Sequence, residues 1–430
     1  MITYIIKRVA LIFPMLIIIS IIAFFMSKAT PNDGVTSILM LRGIDPTDID
    51  EDTYTKTYRS LDYHLPIFYF SIKPAHYPKN LNSYIPEDRQ AIIALLERGI
   101  DGKQAESILS AYKKRVQDAI NAGNQESVTS LLQGKEDTQF ILDELELSMG
   151  SMKRHRFLLP RPYWHGLENQ YHKWLLKAFN KDFGPSIVDG KSAFSKVGKA
   201  LTWTLSFTLV DYFISLFIGL YLGLFLAKNP EGKTQKLIRQ ILYVFYAIPL
   251  FWLATLMVVY FTTDEYGSWT NWFSSVGMDI YPGKSSFYNI FQNFDKLILP
   301  IICLGIHSMA YVGRIIENAL GDEMRKDYIL MAMADGMSKK EILLKEALPN
   351  AMLPIITLFM SAFAAAFSGS LVLEVIFNIP GMGRLLMNSI SVADWNVVFC
   401  ILIVVSFVTI VAYLIADILY ALFNPKIKFE

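Results

Sequence analysis

The chain has 430 residues, of which 53% are hydrophobic, and its formal net charge is only +1. A nearly neutral chain lacks the strongly basic surface that nucleic-acid binding requires, so no nucleic-acid partner is expected. The mean hydropathy of +0.34 instead indicates a membrane protein, because a helix that crosses a bilayer needs about 20 mostly apolar residues in succession.

Six runs of the sequence are long and apolar enough to cross a membrane. They lie near residues 9–27, 201–227, 240–262, 297–317, 351–373 and 396–421. The first run is too long for the apolar core of a typical signal peptide, and residues 27–30 offer no clear cleavage site. We therefore interpret it as a retained span and predict an all-α integral membrane protein with six transmembrane helices.

The distribution of Lys and Arg over the short loops predicts the orientation of the spans. One set of loops and the two ends carry most of these residues, namely Lys7, Arg8, Lys228, Lys233, Lys236, Arg239, Arg325, Lys326, Lys339, Lys340, Lys345, Lys426 and Lys428. The opposite short loops hold only Lys284, Lys296 and Arg384. Both termini are therefore expected in the cytoplasm.

Three regions follow from these spans: an N-terminal transmembrane helix over 1–29, an extracytoplasmic domain over 30–200, and a core of five helices over 201–430. Within the outer domain, the stretches 87–120 and 124–148 read as helices. Their apolar residues recur at helical spacing, which favours a small helical bundle over a strand domain; they include Ile92, Leu95, Leu96, Ile108, Leu109, Tyr112 and Val116. The only cysteines, Cys303 and Cys400, fall in predicted spans, so no disulfide is expected in the outer domain.

The loop between the fourth and fifth spans, 319–350, is predicted to form a cytoplasmic helical hairpin. Gly336 supplies the backbone freedom that a helix C-terminus favours. Ser338 and Glu341 have the spacing of a capping box directly before an apolar run, and Leu348 with Pro349 is expected to end the second helix. An ordinary connecting hairpin would also explain these features.

This hairpin resembles the coupling loop of binding-protein-dependent ABC importer permeases. Ala332, Gly336 and the Leu348-Pro349 pair occupy positions of that family's pattern, whereas Leu330, Met331 and Glu346 depart from it. The resemblance implies that the hairpin contacts ATPase subunits through Ala332, Ala334, Asp335, Gly336, Ser338, Glu341, Leu348 and Pro349.

Further segments resemble the dipeptide, oligopeptide and nickel branch of these permeases. In chain order they are 61–67, 169–175, 182–186, 202–205, 374–385, 394–395 and 417–428. Residues of about 71–160 resemble nothing in the family and are interpreted as an insertion between the first two spans.

The resemblance implies a permease subunit that forms half of a translocation pathway for peptides and works by alternating access in a bacterial inner membrane. Its implied partners are membrane lipid, a second similar permease, two cytoplasmic ATPases that carry ATP and Mg, and an extracytoplasmic solute-binding protein. Nickel or another small solute is an alternative cargo. The chain itself has no G-x-x-x-x-G-K-[ST] phosphate loop, so we expect neither an enzyme nor a bound cofactor.

Two functions of other classes stay open. An ion-driven transporter should contain an inverted repeat with paired broken helices, and no convincing repeat is visible. A membrane-anchored sensor or scaffold would use the outer helical domain as its working part.

Candidate pathway residues follow the fifth span and include Glu374, Asn378, Pro380, Gly381 and Gly383. Non-helical backbone at membrane depth needs protein or a water-filled cavity around it. We therefore predict a re-entrant turn near the outer gate, with a simple connecting loop as the alternative. Glu374 either contacts substrate or, as we favour, accepts a hydrogen bond from loop amides.

Two ionisable groups lie within the predicted spans. Asp211 should face the interior of the bundle, where it either lines the pathway or, as we favour, bonds a neighbouring helix. A lone histidine such as His307 is poor metal chemistry, so packing or a hydrogen bond is expected there and no metal site is predicted.

Overall fold

The computed structural model describes residues 2–29, 34–74, 77, 81–97, 102–121, 160–265, 267 and 269–423. The predicted helix 124–148 and the family-like tail beyond residue 423 lie outside this range. The chain divides into two compact units, one formed by Met1–Thr30 with Asp182–Glu430 and the other by Pro31–Lys181. The unit Pro31–Lys181, which we call the outer unit after its expected location, ends before the expected boundary at residue 200, and the helix that begins at Ala193 lies in the other unit.

The N-terminal span is one helix, α1, over Ile2–Ala29. The outer unit follows, and its elements are α2 (Gly34–Leu41), α3 (Glu51–Ser60), β1 (Phe70–Pro74), α4 (Pro86–Glu97), α5 (Gly102–Asn121), β2 (Pro160–Trp164) and α6 (Gln170–Phe179). The predicted helix 87–120 is thus two helices. Their facing sides bury Ile92, Leu96 and Ile108, which confirms the helical packing pattern.

A two-stranded antiparallel ribbon in the outer unit was not predicted. Phe70 lies opposite Trp164, and Pro74 lies opposite Pro160. These two strands lie at the limits of the insertion 71–160, so the ends of the inserted segment are held side by side. An insertion whose ends already meet can be added to a chain without separating the segments that flank it.

The membrane unit continues with twelve further α-helices in the described part of the chain. They are α7 (Ala193–Lys228), α8 (Lys233–Ala247), α9 (Leu250–Phe261), α10 (Ser286–Gln292), α11 (Phe294–Glu323), α12 (Asp327–Ala334), α13 (Lys339–Glu341), α14 (Leu348–Asn350), α15 (Met352–Ser368), α16 (Leu371–Ile376), α17 (Met382–Ser391) and α18 (Trp395–Phe423). Within the described residues, five helical segments are long and apolar enough to span a membrane. They match five of the six predicted spans.

The third predicted span, 240–262, is broken. Its two halves, α8 and α9, meet at an angle of 92°. Ile248 and Pro249 separate them with extended backbone, at ψ 122° and 131°. Proline has no N–H to donate and disfavours helical backbone in the residue before it, which explains the break. The count is six spans when the bent pair is taken as one.

The close packing of α7 against α11 depends on two glycines. A Cβ atom at Gly219 would lie 2.5 Å from Val312 Cγ1, and one at Gly223 would lie 2.6 Å from Ile316 Cγ2. Small residues allow two membrane helices to approach each other closely. This helix pair also packs against α8, α9, α15 and α18.

Candidate functional site

The outer candidate segment is organised around the carboxylate of Glu374 on α16, which is fully buried. Its Oε1 accepts a hydrogen bond from Thr204 Oγ1 at 2.8 Å, and its Oε2 accepts one from the Arg384 backbone N–H at 2.9 Å. The backbone N–H of Gly383 donates to the same carboxylate. Thr204 Oγ1 in turn accepts from the Met382 N–H at 2.7 Å.

These amides belong to the first turn of α17, where backbone donors have no acceptor within the helix. Glu374 and Thr204 therefore cap α17 from two other helices, α16 and α7. The expected hydrogen bonding between loop amides and Glu374 is confirmed.

The glycines of this segment leave no room for a side chain. A Cβ at Gly381 would lie 2.5 Å from Glu374 Cδ and 2.6 Å from Thr204 Oγ1. A Cβ at Gly383 would lie 2.7 Å from the Cα of Leu371. Glycine is required at these positions because the chain passes so close to the buried carboxylate and to α16.

Asn378 ends α16 in the left-handed conformation, with φ at 56°. Its N–H donates to Val375 O at 3.3 Å, and the Ile379 N–H donates to Glu374 O at 2.8 Å. This is the Schellman pattern of a helix C-terminus, and Pro380 follows where a helix can no longer continue. The structure thus brings Glu374, Asn378, Pro380, Gly381 and Gly383 together as one packed helix break.

Asp211 lies elsewhere on α7, seven residues from Thr204 and therefore roughly 10 Å further along the helix. Its carboxylate accepts hydrogen bonds from Ser215 Oγ at 2.9 Å and from Ser308 Oγ of α11 at 3.0 Å. The favoured expectation, a bond to a neighbouring helix, is confirmed. Over the described part of the chain, no three His, Cys, Asp or Glu side chains lie close enough together to hold a metal ion.

The hairpin of residues 327–350, which we call the inner hairpin after its expected location, turns at Gly336, whose φ is +84°. The Gly336 N–H donates to Met333 O at 3.1 Å and the Met337 N–H donates to Ala332 O at 3.2 Å, again a Schellman motif. No atom lies within 4 Å of a Cβ built at Gly336. Here glycine is required by the backbone conformation and not by lack of space.

The predicted capping box is present at the start of the second helix. The Ser338 N–H donates to Glu341 Oε2 at 3.1 Å, and the Glu341 N–H donates to Ser338 Oγ at 3.3 Å. The hydrogen bonds from Ser338 hold the pKa of the Glu341 carboxyl below its ordinary value. The exposed turn therefore has its own local stabilisation.

The expected end of this helix at Leu348 and Pro349 is wrong by a short distance, because helical backbone continues to Asn350. Residues Ile342–Ala347 form a π-helical turn, in which the Leu348 N–H donates to the Leu343 carbonyl five residues back. A proline ring would collide with the carbonyl four residues before it in a regular α-helix. The wider turn ahead of Pro349 relieves this conflict.

The hairpin has a buried face and an exposed face. Ile329, Ala332, Ile342, Leu343 and Ala347 are buried in one cluster with residues of α7, α11 and α15. Tyr328 also donates a hydrogen bond to Glu323 at the end of α11, at 2.8 Å; burial and this bond raise the pKa of Tyr328 to about 12. The hairpin is thus fixed to the membrane helices at several points.

The predicted coupling residues divide between these faces. Ala332 is buried and Leu348 is half-buried, whereas the others are exposed: Ala334, Asp335, Gly336, Ser338, Glu341 and Pro349. The most exposed apolar side chains are Leu330 (64%) and Met331 (70%), which the sequence interpretation treated only as departures from the family pattern. Large apolar side chains in a polar loop are a signal in the sequence that could have identified both residues as candidate contact residues.

Residues 219–429 match the family described as the inner membrane component of binding-protein-dependent transport systems. The oligopeptide transport system permease protein AppB of Bacillus subtilis is 33% identical over 60% of this chain and 80% of its own length. The chain belongs to this permease family. It is accordingly a multi-pass inner-membrane component of an ABC importer, a transport subunit and not an enzyme.

Other relatives of this permease carry different names. The glutathione transport system permease protein GsiC of Escherichia coli strain K12 is 27% identical over 67% of this chain and 87% of its own. The peptidoglycan transport system permease protein YejB of Agrobacterium fabrum is 34% identical over 44% of this chain and 52% of its own. The solved inward-facing MetNI methionine ABC transporter is 18% identical over 53% of this chain and 96% of that chain, with a TM-score of 0.41, which is too low to support further comparison.

Two family-like segments of the permease that lie far apart in sequence form a joint in the membrane unit. The Ser186 hydroxyl donates a short hydrogen bond to the buried carboxylate of Asp394. Asn396 Nδ2 donates to Pro185 O at 2.7 Å, and a Cβ at Gly184 would lie 2.9 Å from the same nitrogen. The segments 182–186 and 394–395 are therefore parts of one structure, which sequence reasoning did not anticipate.

A second such joint lies within the outer unit. Gln170 Nε2 donates to Leu65 O at 2.7 Å and to Tyr63 O at 3.1 Å. Asp62 pairs with Lys173 Nζ at 2.7 Å; burial opposes ionisation of Asp62, but the bonds from Lys173 and Lys177 lower its pKa overall. The segments 61–67 and 169–175 are thus joined on both sides of the insertion.

Proposed function

We propose that this permease forms half of the translocation pathway of an ATP-driven importer and carries peptides by alternating access. The relatives named for oligopeptide and glutathione transport support a peptide solute. Nickel or another small solute is the alternative cargo, and the role of the insertion in selecting it is open to experiment.

The main support for this proposal is the inner hairpin, which has one buried side and one exposed side. Its exposed side displays the apolar residues Leu330, Met331, Met333 and Leu344, and several exposed large apolar side chains on one short segment favour a protein-binding surface. Its buried face belongs to the same packed cluster as α7, α11 and α15. Because packed interiors transmit displacement and deform little, a force applied to the exposed face would move these helices.

In the mechanism that we propose, two separate cytoplasmic ATPases bind ATP and Mg, and their closure displaces the hairpin. The attached spans rock against those of a second, similar permease and open the pathway to the outside. An extracytoplasmic binding protein delivers the solute, and hydrolysis reverses the motion. Both termini then lie in the cytoplasm with the hairpin. The capped break at Glu374 serves as a rigid part of the outer gate.

The double substitution Leu330→Ser with Met331→Ser tests this function. The variant should insert in the membrane and unfold at the wild-type temperature, because both side chains are exposed. It should nevertheless lose the ATPase subunits when the tagged chain is affinity-purified in mild detergent, and ATP-dependent peptide uptake by cells should fall at least tenfold, as about 1.4 kcal/mol of lost contact gives.

A matched control is Leu176→Ser with Phe179→Ser, which removes two exposed apolar side chains from α6 of the outer unit. This control should retain the ATPases. Retention of the ATPases and normal uptake in the hairpin variant would reject the coupling role. Uptake that survives ATP depletion but is abolished by an uncoupler would instead assign an ion-driven transporter.

A further inference from the structure

A group of aromatic and basic side chains lies where α8 meets α11. His307, Tyr311 and Arg314 are four and three residues apart on α11, a spacing that places them on one side of a helix. They contact Tyr243 and Tyr246 of α8. We call these five residues the aromatic–cation face.

Tyr246 is the centre of this face. Its ring stacks against His307 with centroids 5.4 Å apart and against Tyr311 with centroids 6.1 Å apart. The guanidinium carbon of Arg314 lies 4.7 Å from the Tyr246 ring centroid and 5.8 Å from that of Tyr243. These cation–π contacts orient the guanidinium but leave its N–H donors without an anion.

Among the described residues, Arg314 has no carboxylate partner. Glu317, one turn further along α11, is already paired with Arg239 at 2.6 Å. The other ionisable groups discussed above differ in this respect, since Asp211 and Glu374 are both hydrogen-bonded. Arg314 lies near the end of the predicted span 297–317, and a guanidinium that has no carboxylate partner there can bind an anionic group of a solute.

Two further observations support a ligand site at this face. The Nδ1 atom of His307 is buried and has no hydrogen-bond partner among the described residues. Two residues beyond Tyr246, at Ile248 and Pro249, the span is broken by 92°. In a membrane, irregular backbone and unsatisfied polar groups are tolerated where they line a cavity, and broken helices mark solute sites in many transporters.

The aromatic–cation face is also accessible, because the Tyr243 and Tyr311 side chains are 46% and 41% exposed. A planar guanidinium offers paired donors that match the two oxygens of a carboxylate. We propose that this face binds the carboxylate of the solute as it passes through the permease. The inference rests on the proposed function and narrows it: the solutes are peptides with a free C-terminal carboxylate.

Uptake of trialanine and of trialanine amide by the complete importer, reconstituted with its partner subunits in proteoliposomes, tests this proposal. Arg314→Gln should lower the initial rate for trialanine about tenfold, since it removes a hydrogen bond between two charged groups, and should leave the rate for the amide unchanged. The trialanine rate of Arg314→Lys should lie between those of the wild type and Arg314→Gln, because lysine keeps the charge and loses the planar fork. Arg59→Gln removes the same charge from an exposed position in the outer unit and should leave both rates unchanged.

The binding of the same two peptides to the detergent-solubilised complex, measured by thermal shift, separates this inference from the proposed function. Trialanine should stabilise the wild type more than Arg314→Gln, whereas the amide should stabilise both equally. If Arg314→Gln reduces the thermal stabilisation by trialanine and by its amide equally, or reduces neither, the carboxylate site is overturned even if peptides are transported. Failure of the wild type to take up either peptide would reject the proposed peptide import, while a binding difference that follows the carboxylate would still support the site.

Discussion

The outer helix break at 374–383 and the inner turn at Gly336 both contain glycine, and the glycine requirements at Gly381 and Gly336 have different causes. At Gly381 a side chain would collide with Glu374 and Thr204, although the backbone itself is extended. At Gly336 nothing lies near, but φ is +84°. The outer break is therefore a fixed joint within the packed core, whereas the inner turn is a preformed surface feature.

The two regions also satisfy their helix N-termini differently. In the outer break the buried Glu374 carboxylate and the Thr204 hydroxyl cap α17. In the inner hairpin the cap is the exposed pair Ser338 and Glu341. A hydrogen bond lost in the interior leaves a donor unsatisfied, whereas one lost at the surface is replaced by water. Substitutions should therefore be much more damaging in the outer break.

Glu374→Ala should have the largest effect. It leaves the Thr204 hydroxyl and two backbone N–H groups without their acceptor, and each buried unsatisfied donor costs about 1–3 kcal/mol. We expect a loss of roughly 3 kcal/mol or more in the free energy of unfolding, measured for the purified protein in bicelles.

Glu374→Gln is the matched control, because it keeps the shape and one acceptor oxygen, and it should lose less than the alanine variant. Equal stability of wild type and Glu374→Ala would show that the carboxylate is not a structural cap. The outer and inner regions would then not differ in how strongly their stability depends on the helix cap.

Asparagine substituted at Gly336 and at Gly381 distinguishes a backbone conformation that requires glycine from a lack of space for a side chain. Asparagine tolerates the left-handed conformation, so Gly336→Asn should change the free energy of unfolding by less than about 0.5 kcal/mol. Gly381→Asn should lose about 2 kcal/mol or more, because overpacking of a filled site is destabilising. Thermal unfolding of the two variants in one detergent measures this; similar losses at both positions would contradict the distinction between space and conformation.

Ser338→Ala should have the smallest effect and a defined pH dependence. Loss of an N-cap of this kind makes local opening of the helix about fivefold more frequent, which hydrogen exchange at the amides of 339–342 would report. The pKa of Glu341 is lowered in the folded hairpin, so its contribution is present above its ordinary pKa of about 4.3 and is lost as the pH falls through the folded value.

The difference between wild type and Ser338→Ala should accordingly shrink below about pH 4. Ser338→Thr is the control, since threonine keeps a capping hydroxyl. A difference that is constant from pH 7 to pH 3 would exclude the Glu341 carboxylate from the cap.

Several elements of the fold were predictable because their causes are local. Long apolar runs gave five spans, since hydrocarbon thickness alone sets the length of such a helix. The turn at Gly336 and the box at Ser338 were predictable because capping involves residues within one turn of each other. Even the break at Pro249 had a local signal, the absence of a proline N–H within an apolar run.

Other features depended on contacts between distant segments. The insertion 71–160 is a prediction from sequence, and the pairing of Phe70 opposite Trp164 at its limits was not predicted, because strand pairing over such a separation leaves little local signal. The exposure of Met331 and the burial of Ala332 also required the packing of α12 on α11 and α15.

The class of the protein, its membrane spans and the local form of its inner hairpin were predictable from the amino-acid sequence, because hydrophobicity and capping act within a few residues. The contacts between distant motifs depend on the fold: Thr204 with Glu374, Ser186 with Asp394, and Gln170 with Leu65. A buried polar group finds its partner wherever the fold brings one within hydrogen-bond distance. No separation along the chain specifies that partner in advance.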